Sequence, residues 1–290
     1  MKDLFYNLLI PFSNRVAAFS SSKLRVLAYH TIDDPYLFEK QLKYLKSSYK
    51  VIGIFELEQF LFDGADLPKN AVLITFDDGD LSVLDFGLPL LKKYNMPSVM
   101  FVITGLIDSK KTFWCRWVEL AIQNQGKSYA EARVVVNRLK KMDNEERVAY
   151  LNKLEPIVSK QLTRNDILKM HSEKMFVGNH THTHPMVDKC TSEELQGELK
   201  TSKDSFKNWG LPGYQIFAYP NGNWDAKSEK ILIDNEIKMA FLFDHQLNKK
   251  DVNPMRISRI RVNSDTKLHE FKVKVSGLHS KLMKFKENIT

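Results

Sequence analysis

The sequence predicts an α/β fold, a distorted (β/α) barrel of about seven parallel strands with helices outside, and two observations predict it. Short apolar runs of strand length alternate with longer segments of helical spacing along most of the chain, which is the rhythm of a parallel sheet wrapped by helices. The residues best suited to chemistry stand directly after such runs, as they would if the strands ended together at one face of a barrel. Composition allows this: 290 residues, 43% hydrophobic and 27% charged, can bury one barrel-sized core.

Taken in order, residues 1–22 hold Leu4, Phe5, Leu8, Leu9, Ile10 and Phe12, but also Asp3, Pro11, Asn14 and Arg15. No run there is long enough to span a bilayer, and the segment fits poorly the basic start, longer clean apolar region and small-residue cleavage site of a signal peptide. The expectation is a retained helical segment that packs on the domain or lies at a membrane surface, followed by one barrel domain over 23–290. Arg25 to Tyr29 reads as the first strand and ends in His30. Tyr36 to Lys46 has Leu37, Gln41, Tyr44 and Leu45 on one helical face. A short strand at Val51-Ile52 and a helix from Phe55 to Phe62 lead to the apolar run Ala71 to Ile74, which opens into Thr75-Phe76-Asp77-Asp78-Gly79, where glycine lets the chain turn. Leu81 to Tyr94 reads as a helix that Pro89 must kink or divide, and Ser98 to Ile103 as a strand.

From about 108 to 160 the pattern changes to polar helices, Thr112 to Asn124, Tyr129 to Met142 and Glu145 to Ser159, without a clear strand. This is a helical insertion between repeating units, placed to overhang a site. Thr163-Arg164-Asn165-Asp166 and Thr191-Ser192-Glu193-Glu194 have capping-box spacing and start helices to about His171 and Trp209. Between them Met175 to Val177 is a strand. Gln215 to Tyr219, Lys238 to Phe243 and Arg256 to Val262 complete the strands, with a helix over Ala226 to Asn235 and another at the end.

The formal charge is +8, but the lysines and arginines are scattered and form no nucleic-acid motif. A solvated basic surface is the reading; attraction to anionic lipid or acidic glycan stays open, and nucleic acid is not expected as a partner. The only cysteines, Cys115 and Cys190, make neither a disulfide scaffold nor a CxxC site and read as small buried apolar residues.

Two carboxylates at a strand end, Asp77 and Asp78, project from a rigid scaffold into a loop layer. A hundred residues on, His180, His182 and His184 crowd into five positions after another apolar run. Imidazole nitrogen together with carboxylate oxygen suits a borderline-soft divalent cation, and one Asp with two His leaves a coordination position open, as in catalytic rather than structural sites. Either group alone has a bland explanation, a turn or a surface cluster; their joint placement at strand ends favours chemistry.

These residues give the chain a resemblance to the polysaccharide deacetylase family, the NodB-homology or carbohydrate esterase family 4 proteins. Its first motif, T-F-D-D-G, is intact at Thr75 to Gly79, and its second, H-[ST]-x-x-H, is His180-Thr181-His182-Thr183-His184. Where many members read R-x-P-Y, this chain has Phe217-Ala218-Tyr219-Pro220-Asn221-Gly222, similar to the F-A-Y-P-x-G form of the exopolysaccharide-deacetylating branch. The resemblance runs from about Arg25 to about Gly277 and implies a distorted barrel of about seven strands.

For the site, the resemblance implies a divalent metal, zinc foremost, on Asp78, His180 and His184, with Asp77 as the base toward an attacking water. The backbone N–H of Tyr219 would be a second donor to the oxyanion. The acid in much of the family is a late L-x-H histidine. Here His279 follows Leu278 inside an expected helix, whereas members with the F-A-Y-P-x-G form carry the acid in an early Y-H pair, as in Tyr29-His30, so His30 takes the role. Arg259 could replace the base-orienting arginine lost at Ala218, or equally make a surface salt bridge. Trp224 is the candidate for sugar stacking, while Trp114 and Trp117 read as core and His182 lies outside the ligand pair. The implied activity is hydrolysis of N-acetyl groups on N-acetylglucosamine-type residues of a polysaccharide or glycan precursor. A catalytically silent glycan-binding protein and an O-deacetylase are the alternatives. The expected location is the cytoplasm or its membrane face, with export as the alternative.

Overall fold

In the computed structural model, which describes residues 2–287, strands and helices alternate as the sequence requires; Met1 and residues 288–290, the ends of the two expected segments, lie outside the described residues. In chain order the elements are α1 (Lys2–Phe19), β1 (Arg25–Tyr29), α2 (Pro35–Ser48), β2 (Lys50–Val51), α3 (Ile54–Phe62), β3 (Ala71–Phe76), α4 (Leu88–Tyr94) and β4 (Ser98–Val102). The insertion follows as α5 (Trp114–Asn124), α6 (Tyr129–Leu139) and α7 (Asn144–Leu151). The remainder is α8 (Arg164–Ser172), β5 (Met175–Asn179), α9 (Ser192–Trp209), β6 (Ile216–Ala218), α10 (Ala226–Asp234), β7 (Met239–Phe241), β8 (Ile260–Arg261), α11 (Leu268–Val275) and α12 (Leu278–Glu287).

The strands pair in the order β7-β6-β5-β4-β3-β1-β8, all parallel, and β2 adds to the start of β3. The sequence predicts one continuous strand from Arg256 to Val262; the structure divides it. Around Ile257 the backbone bonds to β7, with Leu242 N–H donating to Ile257 O at 2.8 Å and Ile257 N–H to Ala240 O at 2.9 Å. Three residues later Ile260 and Arg261 pair with Leu27 and Ala28 of β1. The last crossing thus serves both ends of the curled sheet, and the partner changes at Ser258-Arg259.

Alternation along each strand decides which side chains enter the barrel. Val26, Leu73, Val99, Phe101, Phe176, Ile216, Ala218, Met239, Phe241 and Ile257 form the inner cluster, which Ile54 and Leu57 of α3 cover. Their neighbours Leu27, Val72, Ile74, Met100, Val177, Phe217 and Ala240 pack outward against the helices. Gly178 holds an inner position where a Cβ would lie 2.8 Å from the Phe101 ring and 3.0 Å from the Ile216 carbonyl oxygen, so only glycine fits.

Local chemistry sets the helix boundaries. Asp34 accepts from the Leu37 N–H with Pro35 in the first turn of α2, and Thr163 and Thr191 close the capping boxes of α8 and α9. The expected helix from Leu81 to Tyr94 is divided: a π-helical turn, Val83–Gly87, hands over to α4, whose first turn holds Pro89, where a missing N–H costs nothing. The insertion has a core of its own, with Trp114, Val118, Ala132, Val136, Leu139 and Leu151 closing over Met186. Its third helix ends at Leu151 rather than near Ser159, because the chain around Pro156 turns back to pair with residues 110–111. α1 packs along α11, tied at one end by Asp3 to Lys267 and His269 and at the other by the Ser20 hydroxyl to the Ser276 carbonyl.

Candidate active site

The inward phase of the strands, extended past their C-terminal ends, delivers the site. Asp77 continues the inner series of β3, His30 that of β1 and His180 that of β5, while Arg259 lies on the inner series of the last crossing. Asp77 is 2% exposed and Arg259 1%. The guanidinium reaches both carboxylate oxygens, Nη1 to Oδ1 at 2.6 Å and Nη2 to Oδ2 at 2.8 Å, while Nε donates to the Leu242 carbonyl at 2.8 Å. Burial alone would raise the Asp77 carboxyl; the Arg259 guanidinium, through its charge and its hydrogen bonds, and the neighbouring His180 and His30 together outweigh it, so the group is held below the usual carboxylate range. The surface-bridge alternative for Arg259 is excluded by its burial. His30 Nε2 stands 4.0 Å from Asp77 Oδ2, with its side chain 38% exposed at the open side of the site.

Asp78 and Gly79 both take left-handed backbone, φ 69° and 77°, which turns the second carboxylate away from the first. Asp78 Oδ1 lies 3.5 Å from His180 Nε2 and 3.6 Å from His184 Nε2. Tetrahedral ligands about 2.0–2.1 Å from a shared ion stand roughly 3.3–3.4 Å apart, so the spacing fits a divalent cation. Asp78 Oδ1 and His184 Nδ1 are buried with no hydrogen-bond partner among the described residues, a costly arrangement for the oxygen unless a cation completes it. Burial would raise the Asp78 carboxyl, but His180, His184 and His30 around it together outweigh burial and hold it low. Burial and neighbouring His180 push His184 well below the ordinary histidine range, leaving it neutral, the form that ligates.

The backbone sets ligand orientation. His180 Nδ1 is 2.8 Å from the Ala218 carbonyl, which can only accept, so Nδ1 carries the proton and Nε2 faces Asp78. Residue 218, where the family's arginine is missing, thus contributes its carbonyl. The His184 carbonyl accepts from Trp114 Nε1 at 3.0 Å and Arg147 Nη1 at 3.3 Å, so the insertion braces the ligand loop. Glu198 accepts from the His182 and Thr183 N–H groups and from the Thr183 hydroxyl, holding the same loop from α9.

His30, Asp77, Asp78, His180, His184, Tyr219 and Arg259 border one cavity of about 370 Å³. Tyr219 requires a correction. Its N–H donates to the Phe241 carbonyl at 3.0 Å within the sheet and is not free for an oxyanion, and its ring packs in the outer cluster because residue 219 falls on the outward phase. Trp224 does not border the cavity: Arg256 lies 3.8 Å from its ring centroid and is itself held by two bonds to Glu229. His182 turns to Thr104, with Nδ1 at 2.9 Å from its hydroxyl, and His279 packs against Tyr6. Sequence reasoning passed over Phe243, Arg261 and Asn263, which border the cavity from the last strand ends, and Tyr129, Arg133 and Lys140, which reach it from the insertion. Inward parity would have found Phe243 and Arg261; nothing local marks the insertion residues.

A parallel barrel whose strand ends gather a desolvated, arginine-held carboxylate and a His-His-Asp cluster with the spacing of a candidate cation site defines a class of barrel proteins. Within it, the polysaccharide deacetylase model matches residues 64–240, more than half of the sequence, and the chain belongs to that family. A poly-beta-1,6-N-acetyl-D-glucosamine N-deacetylase of Staphylococcus aureus is 35% identical over 101 residues, 34% of this chain and 33% of that protein, so the match spans about a third of the curated relative. The fold is shared with the deacetylase PplD of Streptococcus pyogenes, TM-score 0.64 at 21% identity over 88% of this chain and 98% of that one. It is shared equally with IcaB from Ammonifex degensii, TM-score 0.62 at 21% identity over 88% and 97%.

Proposed function

We propose that this protein is an N-deacetylase that hydrolyses the acetamide of N-acetylglucosamine-type residues in a polysaccharide or glycan precursor. The observation that carries the reading is the placement of the Arg259-held Asp77 carboxylate beside the Asp78, His180 and His184 cluster, with His30 across the same cavity. The name of the Staphylococcus aureus relative supports the substrate class. Asp78, His180 and His184 would hold the metal, with zinc favoured by two nitrogens and one oxygen. When bound, it supplies Lewis-acid polarisation of the acetamide carbonyl and of the attacking water.

The chain's own groups then divide the proton work. Asp77, kept ionised by Arg259, takes a proton from the water as its oxygen bonds to the carbonyl carbon. His30, on the open side, gives a proton to the nitrogen as the C–N bond breaks, because an amide anion is too poor a leaving group to depart unassisted. Acetate and a free amine result.

An alkoxide leaves far more readily than an amide anion, so removal of the acid distinguishes N- from O-deacetylation. The test is acetate release from short N-acetylglucosamine oligomers by metal-reconstituted protein, with bound metal quantified. Asp77→Asn should retain metal and lose turnover; His30→Ala should retain metal and lose about 10²–10⁴-fold on acetamides, with a smaller loss on acetyl esters. Equal losses on both would count against His30 as the acid. A wild-type protein with a full metal site that binds these oligomers and releases nothing would support the silent glycan-binding alternative.

A further inference from the structure

Helix α1 buries one side and leaves large apolar side chains on the other. At 3.6 residues per turn, Leu4, Leu8, Phe19, Phe12 and Phe5 fall within an arc of about 100°. All five are exposed, from 54% for Phe5 to 87% for Phe19. Tyr6, Ser13 and Ser20 lie buried on the opposite side, where α1 packs against α11 and α12. An apolar stripe along a helix about 27 Å long is more than a soluble surface ordinarily carries by chance.

Charge selects the partner. Residues 2–23 and 267–287, α1 with the two helices beneath it, hold nine Lys and Arg against three Asp and Glu, so six of the eight net positive charges gather there. Arg15 falls inside the apolar arc itself and is exposed, with a stem long enough to lie among apolar groups while its head reaches phosphate. Two copies of a region with this net charge would repel each other; an anionic surface would be drawn to it, with Arg15 on the exposed face itself.

We propose that this face is an interfacial membrane-binding surface whose partner is the headgroup region of an anionic phospholipid bilayer. No helix among the described residues is long and apolar enough to cross a membrane, so α1 lies in the interface rather than spanning it. Its direction has a consequence. The Asp3 end pairs with Lys267 and His269 at the start of α11, just after the cavity-lining Asn263, and the Ser20 end meets Ser276 at the opposite pole. With α1 flat on the bilayer, the barrel axis runs along the membrane, and the cavity opens beside it, within reach of a glycan held at that surface. The inference does not depend on the catalytic reading.

The experiment is co-sedimentation of the full chain with vesicles of phosphatidylglycerol and phosphatidylcholine, beside vesicles of phosphatidylcholine alone, at low and high salt. Binding to the anionic vesicles is expected, weakened at least about tenfold in their absence or at high salt. Leu8→Gln with Phe12→Gln should weaken it by at least about tenfold while circular dichroism and acetate release from soluble oligomers stay unchanged. Arg15→Glu, which leaves the apolar residues in place, should also weaken it. Protein that stays in the supernatant at every lipid concentration overturns the proposal, as does a dimer seen by light scattering that the same double substitution dissolves.

Discussion

Arg259 and Asp77 show why a buried ion pair is judged by what remains when one partner goes. Both are almost fully buried, and each satisfies the other through two short bonds. Arg259→Leu therefore strands a carboxylate, and should cost about 3–5 kcal/mol in denaturant unfolding. Adding Asp77→Asn should recover much of that stability without recovering turnover. Additive losses in that cycle would show that the pair is not coupled. Asp77, Asp78, His180 and His184 were legible because strand ends and short motifs are local. Tyr219 was misread for a non-local reason, because its N–H is taken up by β7, and the surroundings of Trp224 are non-local too, since Arg256, thirty-two positions on, lies over its ring. The Arg259 partner became visible only when the closing of the sheet turned the inner side of the last strand toward the end of β3 across the barrel interior.

At the level of elements, the insertion is more than a lid. Trp114 starts α5, belongs to the insertion's small core, and also donates to the His184 carbonyl, so one side chain couples the packing of three helices to the placement of a candidate metal ligand. The sequence showed the helical spacing that makes Trp114 a core residue, but not the indole N–H bond, which depends on how the insertion folds back over the loop. Trp114→Phe keeps most of the apolar contact and removes the donor. Arg147 still bonds the same carbonyl, so the fold should lose only about 1 kcal/mol. Metal affinity should fall by about 10-fold, the lower end of what outer-shell partners contribute, as measured by competition with a chelator. Unchanged affinity with a large stability loss would make Trp114 purely a packing residue.

For the whole molecule, the closing of the sheet is the feature that local pattern could least reveal. The run Ile257-Ser258-Arg259-Ile260-Arg261-Val262 reads as one strand, and the only local trace of a change of partner is the switch of apolar parity between Ile257 and Ile260. Closure of a curved sheet fixes that change, and Asn248 secures it. Its backbone exchanges bonds with Leu24 at 3.0 and 3.1 Å, at the entry to β1, while its side chain grips both backbone groups of Ser258, accepting from the N–H at 2.8 Å and donating to the carbonyl at 2.9 Å. One residue further lies Arg259. Asn248→Ala leaves two backbone groups of Ser258 unpaired in a largely buried place and should destabilise the fold by about 2–4 kcal/mol. It should also lower turnover with bound metal unchanged, because the loosened seam shifts the arginine that holds Asp77 while Asp78, His180 and His184 hang on other strands. Asn248→Asp keeps the acceptor and loses the donor, so it should fall between the two in both stability and turnover. If stability fell and turnover per folded, metal-loaded molecule did not, the seam would serve closure alone, and the position of Arg259 would be set by Leu242 and Thr75 inside the barrel.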